Sequence, residues 1–237
     1  MQIQNLYNKL KYLESQKQNI EYEIIETKKF IEKLSPFTKS QKVRLFKSLF
    51  VGREDVYPTY WINKEGTKKG YSPATYTFRG SDYIPLSDSI IQKHLEGKVR
   101  LGTYAVINQT MAKFLALDLD KQSFIDDARA IKKICDELHL NPLFEISKSG
   151  NGIHIWFFFE NLVRASDARK LGDILVTKAM DISDGIDMGS YDRMFPNQDF
   201  VAPDALGNLI ALPLHFGSRS ENKTVFIDIE TMQPFNN

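Results

Sequence analysis

The feature that most constrains the fold is the run Phe114–Asp120 (FLALDLD), in which apolar residues lead into two carboxylates one residue apart. An apolar run bounded by charge predicts a buried β-strand. Because residues i and i+2 of a strand face the same side, Asp118 and Asp120 are expected to lie next to each other. A divalent cation such as Mg²⁺ or Mn²⁺ would relieve the repulsion between the two carboxylates. The alternative is a strand end with two solvated aspartates.

The distribution of charge and cysteine narrows the class of protein. Residues 36–121 carry 14 Lys and Arg against 8 Asp and Glu, whereas residues 122–237 carry 11 against 17. A basic half beside an acidic half is compatible with a polyanionic substrate. The lone cysteine, Cys135, excludes intrachain disulfides and cysteine-based zinc sites. No apolar run is long enough to span a bilayer and no N-terminal signal pattern is seen, so we expect a cytoplasmic protein without a membrane partner.

Residues 1–35 form a segment of their own. Apolar side chains recur with 3-4 spacing, broken at Lys17 and Thr27, at Ile3, Leu6, Leu10, Leu13, Ile20, Ile24, Ile31 and Leu34. This spacing predicts a long helix with a heptad seam. The helix is either half of a coiled coil or packed along the rest of the chain. Pro36 cannot continue a helix, so we predict a boundary there and a single further domain over residues 36–237.

Basic and aromatic residues follow the boundary. Candidates for contacting a phosphate backbone or stacking on a base are Arg53, Lys68, Lys69 and Tyr71. Surface lysines on a hairpin are the alternative. Further on, Val99–Ile107 and Met111–Asp120 are predicted to pair as a hairpin that delivers the two aspartates to a strand end.

The stretch Leu143–Phe159 predicts a strand, a glycine-rich turn and a second strand. Such a turn exposes backbone N–H groups, and its serines and lysine add donors and positive charge, so it is a candidate phosphate cradle. The cradle and the histidine that opens the return strand comprise Lys148, Ser149, Gly150, Asn151, Gly152 and His154. A purely structural role for His154 is the alternative.

The stretch 185–199 is polar, irregular and dense in potential ligands. Asp187, which follows an apolar residue, would complete a three-aspartate metal site with Asp118 and Asp120. The candidates downstream for contacting an anion or a base are Arg193, Asn197 and Gln198. Strands that alternate with helices along the chain predict an α/β or α+β sheet, not a bundle or a sandwich.

Three of these patterns together resemble a known family. Apolar-Asp-x-Asp, then Ser-Gly-x-Gly-x-His opening a strand, then apolar-Asp, with a helix between each pair, is similar to the three motifs of the archaeo-eukaryotic primase (primase-polymerase) superfamily. Over about residues 38–216, the chain most resembles the branch found in TOTE conflict systems and in CRISPR-associated primase-polymerases. The segments that carry this likeness are LFKSLFVGREDV (45–56), KGYSP (69–73), SKSGNG (147–152), SYDRMFPNQD (190–199) and GNLIALP (207–213).

The resemblance implies an α+β fold, with an RRM-like catalytic core and an additional αβ module after the N-terminal helix. It implies that Asp118, Asp120 and Asp187 are catalytic and hold two Mg²⁺ or Mn²⁺ ions. The residues implied to bind the substrate NTP or dNTP are Lys148, Ser149, Gly150, Asn151, Gly152, His154, Arg193, Asn197 and Gln198. Other branches place several basic residues after the third motif, where this chain has Arg193 and then Pro-Asn-Gln.

The implied activity is that of a template-dependent nucleotidyltransferase that synthesises DNA or RNA primers and extends them on single-stranded DNA. The implied partners are a single-stranded DNA template and primer, nucleoside triphosphates, and proteins of CRISPR adaptation or another defence system. A coiled-coil partner is expected from the heptad seam of residues 1–35, which lies outside the resemblance. Two other classes stay open. A metal-dependent single-strand nuclease would also use Asp-x-Asp, and a non-catalytic RRM-like nucleic-acid-binding module would stack bases on the aromatic residues 156–159.

Overall fold

The computed structural model describes residues 2–77, 80–120, 123–182 and 190–235. The helices in these ranges are α1 (Gln2–Leu34), α2 (Lys39–Phe50), α3 (Asp88–Leu95), α4 (Phe124–Glu137), α5 (Ala165–Ile182) and α6 (Phe216–Arg219). The strands are β1 (Pro58–Ile62), β2 (Lys69–Pro73), β3 (Gly102–Tyr104), β4 (Met111–Asp120), β5 (Leu143–Ile146), β6 (Gly152–Arg164), β7 (Tyr191–Phe195), β8 (Leu209–Ala211) and β9 (Phe226–Ile227). None of these helices is both long enough and apolar enough to cross a membrane.

The chain divides into two compact units, one ending at Lys42 and the other beginning at Val43. The first unit contains α1 and the start of α2. There the Gln41 N–H donates to Thr38 Oγ1 at 3.2 Å, and the Thr38 N–H donates to Gln41 Oε1 at 2.8 Å. This reciprocal pair is a capping box, which satisfies two N–H groups that a helix start otherwise leaves unpaired.

The second unit is built on a five-stranded antiparallel sheet in the order β7-β4-β6-β5-β9. β4 lies inside this sheet, between β6 and β7. Its residues from Phe114 to Leu117 are fully buried. Burial on both faces explains why the sequence of β4 is a continuous apolar run instead of an alternating one.

The two faces of β4 are covered by different apolar clusters. The leucines of β4 pack with side chains of α4 and α5. Phe114 and Ala116 pack with side chains of α2 and α3 on the other face. Because side chains alternate between faces, Asp118 and Asp120 continue the face of Phe114 and Ala116 toward the end of the strand. The two aspartates are therefore half-buried at the margin of a core.

The predicted hairpin between Val99–Ile107 and β4 is wrong. β3 pairs with β8. The turn itself exists, because Ile107 and Met111 exchange backbone hydrogen bonds of 2.7 and 2.8 Å, but the pairing stops at this single bridge. β6 pairs along one edge of β4 from Met111 to Asp120, and β7 pairs with the other edge from Ala116 to Leu119. The segment before the turn therefore pairs elsewhere.

Candidate active site

Four ionisable side chains form one row across the central sheet. Asp118 on β4 lies directly opposite His154 on β6 and Arg193 on β7. Glu145 on β5 lies opposite His154. Directly opposed residues of antiparallel strands place their side chains on the same face and close together. Acids and bases therefore alternate along Glu145, His154, Asp118 and Arg193, which we call the charged row.

Asp118 is the half-buried centre of this row. Its side chain is 23% exposed, and its Oδ1 lies 3.6 Å from His154 Nε2. Burial raises the pKa of Asp118, and the carboxylates of Asp192 and Asp120 raise it further, which outweighs the opposite effect of His154 and Arg193. The environment thus opposes a bare negative charge at Asp118, and a bound cation would offset this penalty.

Asp120 is the next carboxylate on the same face. Its backbone N–H donates to the Ser190 carbonyl at 2.7 Å, and Gly152 lies opposite it on β6. Its Oδ1 is buried and has no hydrogen-bond partner among the described residues. An unpaired buried oxygen is costly, and a hard divalent cation is a ligand that would satisfy it. The pair Asp118 and Asp120 therefore fits the ion that the resemblance implies.

The third implied metal ligand, Asp187, lies outside the described residues. Within the described ranges, no group of three His, Cys, Asp or Glu side chains is arranged to hold a metal ion. Asp192 is close enough for its charge to act on Asp118, because β7 shifts register between its pairings with Asp118 and Leu119. Its carboxylate is ion-paired with Arg193. The described part of the site therefore contributes Asp118 and Asp120 as candidate ligands.

Glu145 orients His154, and the sequence analysis did not identify it. The Glu145 side chain is 1% exposed. Its Oε2 accepts hydrogen bonds from His154 Nδ1 at 3.0 Å and from Trp156 Nε1 at 2.7 Å. Because a carboxylate only accepts, Nδ1 carries a hydrogen and Nε2 is left to face Asp118. A signal was present in the sequence, since Glu145 is a lone charge inside an apolar strand.

The two neighbouring carboxylates also set the charge of His154. Burial alone would lower the pKa of His154, but Glu145, through its charge and its hydrogen bond, and Asp118 together raise it above the ordinary value. His154 therefore favours its cationic form between two acids. Such a group is suited to bind an anion next to Asp118.

The turn between β5 and β6 is held by its own serines. Ser147 Oγ and Ser149 Oγ lie 2.9 Å apart, and the Asn151 N–H donates to Ser149 Oγ at 3.1 Å. Gly150 takes a positive φ of 82°. The turn predicted from the sequence is present, but the Ser149 hydroxyl is engaged within the turn. Gly152 closes it, and a Cβ there would lie 2.6 Å from the Leu119 carbonyl oxygen.

Lys148 leaves this turn and lies against Tyr60 of β1. Its Nζ is 3.3 Å from the centroid of the Tyr60 ring, which is a cation–π contact. Burial lowers the pKa of Lys148, and the positive charges of Arg100 and Lys69 lower it further, although Tyr60 acts against them. The turn between β5 and β6, which carries the predicted nucleotide-binding residues, is therefore joined to the β1–β2 hairpin through Lys148 and Tyr60. The sequence does not indicate this contact.

A cationic cluster, defined by Arg100, Lys148 and Arg219, lies around His215, and two of its members contact Tyr60. Arg100 lies 5.3 Å from the Tyr60 ring centroid and donates to Ser218 Oγ at 2.9 Å. Burial and the charges of Arg100, Arg219 and Lys148 lower the pKa of His215 to about 4. Neither Arg100 nor Lys148 forms an ion pair with a carboxylate of the described chain. Clustered cations without a matching carboxylate favour a bound anion.

Several predicted residues are not brought to the charged row. The Arg53 guanidinium binds both carboxylate oxygens of Asp55 at 3.0 and 2.6 Å and the Ala205 carbonyl at 2.8 Å. Its donors are therefore used within the fold.

Arg193 lies in the charged row, but its guanidinium is half exposed and paired with its neighbour Asp192.

Asn197 and Gln198 follow β7, and the chain carries them away from Asp118. Phe195 lies opposite Ala116, and the Val201 N–H donates to the Gln109 carbonyl at 2.9 Å. The segment between Phe195 and Val201 therefore runs toward the start of β4, whereas the aspartates lie at its end. The geometry gives no support to a nucleotide contact by these two amides.

The remaining candidates lie on the β1–β2 hairpin. Lys69 pairs with Ile62 and Tyr71 pairs with Tyr60. Lys68 and Lys69 are exposed, but the Tyr71 hydroxyl is buried without a hydrogen-bond partner among the described residues. Burial raises the pKa of Tyr71. Tyr71 is therefore packed beside Tyr60, with ring centroids 5.3 Å apart, and its hydroxyl is not available to a nucleic acid.

Comparison with known proteins identifies the family of the chain. No curated protein matches the sequence at a significant level. Among solved structures, the polymerase domain of Ligase D from Mycobacterium tuberculosis, in complex with DNA, is similar with a TM-score of 0.46 and 16% identity, over 75% of this chain and 76% of that chain. A likeness of this size says nothing about the activity of this chain. Residues 41–237 match the family described as the archaeo-eukaryotic primase domain of TOTE conflict systems. The chain therefore belongs to the TOTE conflict-system family of archaeo-eukaryotic primase domains.

Proposed function

We propose that this chain is a template-dependent nucleotidyltransferase, a primase-polymerase that makes primers on single-stranded DNA and extends them. The observation that carries the proposal is the arrangement of Asp118, beside Asp120, next to His154 in the charged row, within the segment that matches the primase family. Transfer of a nucleotide requires acidic and cationic side chains around the same site. The acids would hold metal ions, and the cations would hold phosphates.

Asp118 and Asp120 would hold the divalent ions, together with Asp187 as the family resemblance implies. Bound Mg²⁺ or Mn²⁺ ions supply activation of the attacking hydroxyl and stabilisation of the pyrophosphate leaving group. The protein contributes by keeping the two carboxylates half-buried and adjacent at the end of β4. The unpaired Asp120 Oδ1 supports this role, because it has no competing donor among the described residues.

We assign the triphosphate to the side chains on the other side of His154. Glu145 and Asp118 raise the pKa of His154 despite its burial, which favours its cation, and its Nε2 faces Asp118. Lys148 and Arg100 both lie against Tyr60, so an anion bound there would contact two cations. Charge-assisted hydrogen bonds to phosphate are strong and place negative charge where it is needed during transfer. Ser149 acts by shaping the turn, since its hydroxyl accepts from the Asn151 N–H.

Template binding is the part of the proposal furthest from the charged row. Lys68 and Lys69 are exposed on the β1–β2 hairpin, and Trp61 in the same hairpin is 41% exposed. Exposed cations beside an exposed aromatic ring suit single-stranded nucleic acid. The proposed context is a defence system, CRISPR-associated or other, and it rests on the family alone.

The two rival classes differ in what they need from the site. An RRM-like binder needs exposed aromatic rings on the central strands, but Trp156 is fully buried and Phe157 is 6% exposed. The aromatic run of β6 therefore packs in the core. A metal-dependent nuclease would use the same two aspartates and would cut DNA without added nucleotide.

The test is synthesis on unprimed single-stranded DNA with labelled nucleotides and Mn²⁺ or Mg²⁺. We expect new oligonucleotides from the wild type, none from Asp118→Ala, and normal synthesis from Asp204→Ala, which removes an exposed loop carboxylate. Replacing NTPs by dNTPs identifies the preferred sugar. Cleavage of the DNA without nucleotide, lost in Asp118→Ala, would favour the nuclease. Absence of synthesis with and without a primer would overturn the proposal.

A further inference from the structure

α1 carries an apolar stripe that is exposed from Ile3 to Ile24. The helix has 33 residues, which corresponds to about 50 Å at 1.5 Å per residue. Leu6 is 65% exposed, Leu13 is 52% exposed and Ile24 is 47% exposed. In proteins, a helix gains most of its stability from packing of its apolar face. Such a stripe therefore requires a partner that covers it.

The stripe keeps one heptad frame from Ile3 to Leu34, in which Lys17 and Thr27 are the two polar positions. The a positions are Ile3, Leu10, Lys17, Ile24 and Ile31, and the d positions are Leu6, Leu13, Ile20, Thr27 and Leu34. Isoleucine is the commonest residue at a and leucine at d, and this combination favours two-stranded parallel coiled coils.

The polar residue at the centre of the stripe points to the same assembly. A single lysine at an a position specifies oligomeric state and register at some cost in stability. Lys17 is that residue, and its Nζ extends to 3.9 Å from Glu21 Oε1 at the flanking e position. The ammonium group thus reaches the margin of the seam, where it stays in water.

The flanking charges distinguish the two possible directions. In a parallel pair, each g residue faces the e residue five positions later on the other helix. This brings Lys9 to Glu14 and Glu23 to Lys28 of the second helix, which are two attractive contacts in each direction. In a fully overlapped antiparallel pair the e positions face each other, and Glu14 would face Glu21. The parallel arrangement is the one with complementary charge.

We propose that α1 forms a parallel two-stranded coiled coil with α1 of a second copy of this chain. A second copy of the chain is the partner that fits, because the charges that flank the seam of α1 are complementary to those of another α1. Both chains then leave the coiled coil at the same end, at Leu34. This inference does not depend on the proposed activity.

Sedimentation equilibrium of the full chain tests the assembly. We expect the mass of a dimer for the wild type and of a monomer, at the same micromolar concentrations, for Leu13→Glu at the centre of the seam. Ser15→Glu, on the outer face, is the matched control and is expected to stay dimeric. A monomeric wild type, a trimer or tetramer, or a dimer that survives Leu13→Glu would overturn the proposal.

Cysteine cross-linking tests the direction. In a parallel pair the two copies of residue 6 face each other, so Leu6→Cys is expected to form a disulfide-linked dimer under mild oxidation. Ser15→Cys points outward and is the control, and the native Cys135 is buried. A Leu6→Cys protein that is dimeric but yields no more linked product than Ser15→Cys would overturn the parallel arrangement.

Discussion

Glu145 accepts a hydrogen bond from His154 inside the central sheet, with 3.0 Å between Oε2 and Nδ1, and the same oxygen accepts from Trp156. Glu145, which belongs to no sequence motif, thus fixes the orientation of the His154 ring, which does belong to one. The ring nitrogen left over, Nε2, faces Asp118. Glu145 is therefore a positioning residue in the proposed site.

Replacing Glu145 separates its structural role from its electrostatic one. Glu145→Ala leaves two buried donors unpaired and is expected to lower the free energy of unfolding by about 3 kcal/mol or more. Glu145→Gln keeps an acceptor for Trp156 but removes the charge that supports cationic His154, so we expect a folded protein whose synthesis rate falls about tenfold or more. Urea denaturation and primer extension measure the two effects.

The control for this pair is Glu160→Gln, at an exposed position of β6. It is expected to change neither quantity. If Glu145→Gln retained the full wild-type rate, Glu145 would be no more than a buried partner for Trp156.

The second prediction concerns acid stability. His94 is fully buried, accepts from the Leu101 N–H at 3.1 Å and donates to the Pro213 carbonyl at 2.7 Å. Burial lowers the pKa of His94 to about 4. The unfolded chain binds a proton below its ordinary pKa of about 6.5, whereas the folded chain does so only near 4. Stability is therefore complete above pH 6.5 and falls by about 3 kcal/mol as the pH drops to 4.

Urea denaturation of the wild type and His94→Gln at several pH values measures this effect. The variant is expected to lose stability less steeply between pH 6.5 and 4. His215, whose pKa is also lowered to about 4, contributes to the slope of both proteins. His139→Gln, at an exposed position, should keep the wild-type slope. Equal slopes for all three proteins would contradict the assignment.

Much of the site could be predicted from the sequence because its parts are local. Asp118 and Asp120 follow an apolar run, and a strand of that kind must place them on one face. The turn at Gly150 follows from residues that tolerate positive φ. The strand pairing could not be predicted in the same way. A local pattern does not say which strands lie beside β4, and the hairpin prediction failed for this reason.

The residues that the sequence analysis missed depend on contacts between distant segments. Tyr60 and Arg100 belong to the proposed phosphate site because Lys148 and Arg100 both lie against the Tyr60 ring. Nothing in the local sequence indicates this role for either residue. Conversely, Arg53 is a basic residue in a basic stretch, yet Asp55 two positions later satisfies its guanidinium. Charge in a sequence indicates where cations are, but only the fold shows which of them are already paired.

The third prediction concerns the close approach of β6 to β4 at Gly152, which lies opposite Asp120. Gly152→Ala places a Cβ 2.6 Å from the Leu119 carbonyl oxygen, so the strands must separate beside Asp120. We expect a loss of about 1–3 kcal/mol in unfolding free energy, as in other overpacked positions, and a loss of synthesis larger than the fraction unfolded explains. Gly70→Ala, whose Cβ would lie 3.5 Å from the Trp61 ring, is the control, and both are compared by urea denaturation and primer extension. Equal effects of the two alanine substitutions would show that the close approach of the strands at Gly152 is not needed for synthesis.

The fourth prediction tests the cationic cluster as the phosphate site. Lys148→Ala removes one charge-assisted contact, which is worth about 1.5–3 kcal/mol. We expect the KM for the nucleotide to rise about 10-fold to 100-fold, with a smaller change in kcat. Lys178→Ala, at an exposed position of α5, is the matched loss of charge and should leave KM unchanged. Steady-state primer extension measures both constants, and an unaltered KM in Lys148→Ala would place the triphosphate elsewhere.

The last prediction opposes stability to metal binding at Asp118. Burial and the charges of Asp192 and Asp120 raise the pKa of Asp118. Its negative charge therefore destabilises the folded state at neutral pH, where the unfolded chain keeps the carboxylate solvated. Asp118→Asn removes this charge, so without divalent ions the variant is expected to unfold at a higher temperature than the wild type.

Adding Mn²⁺ should reverse this order. A ligand that binds only the folded state stabilises it in proportion to the logarithm of its concentration over the dissociation constant, so the Tm of the wild type should rise with Mn²⁺ while that of Asp118→Asn stays nearly constant. Asp204→Asn, in an exposed loop, should respond like the wild type. Thermal denaturation across a Mn²⁺ series reads out this crossing without any assay of activity. Parallel curves for wild type and Asp118→Asn would show that Asp118 binds no ion, whatever the protein synthesises.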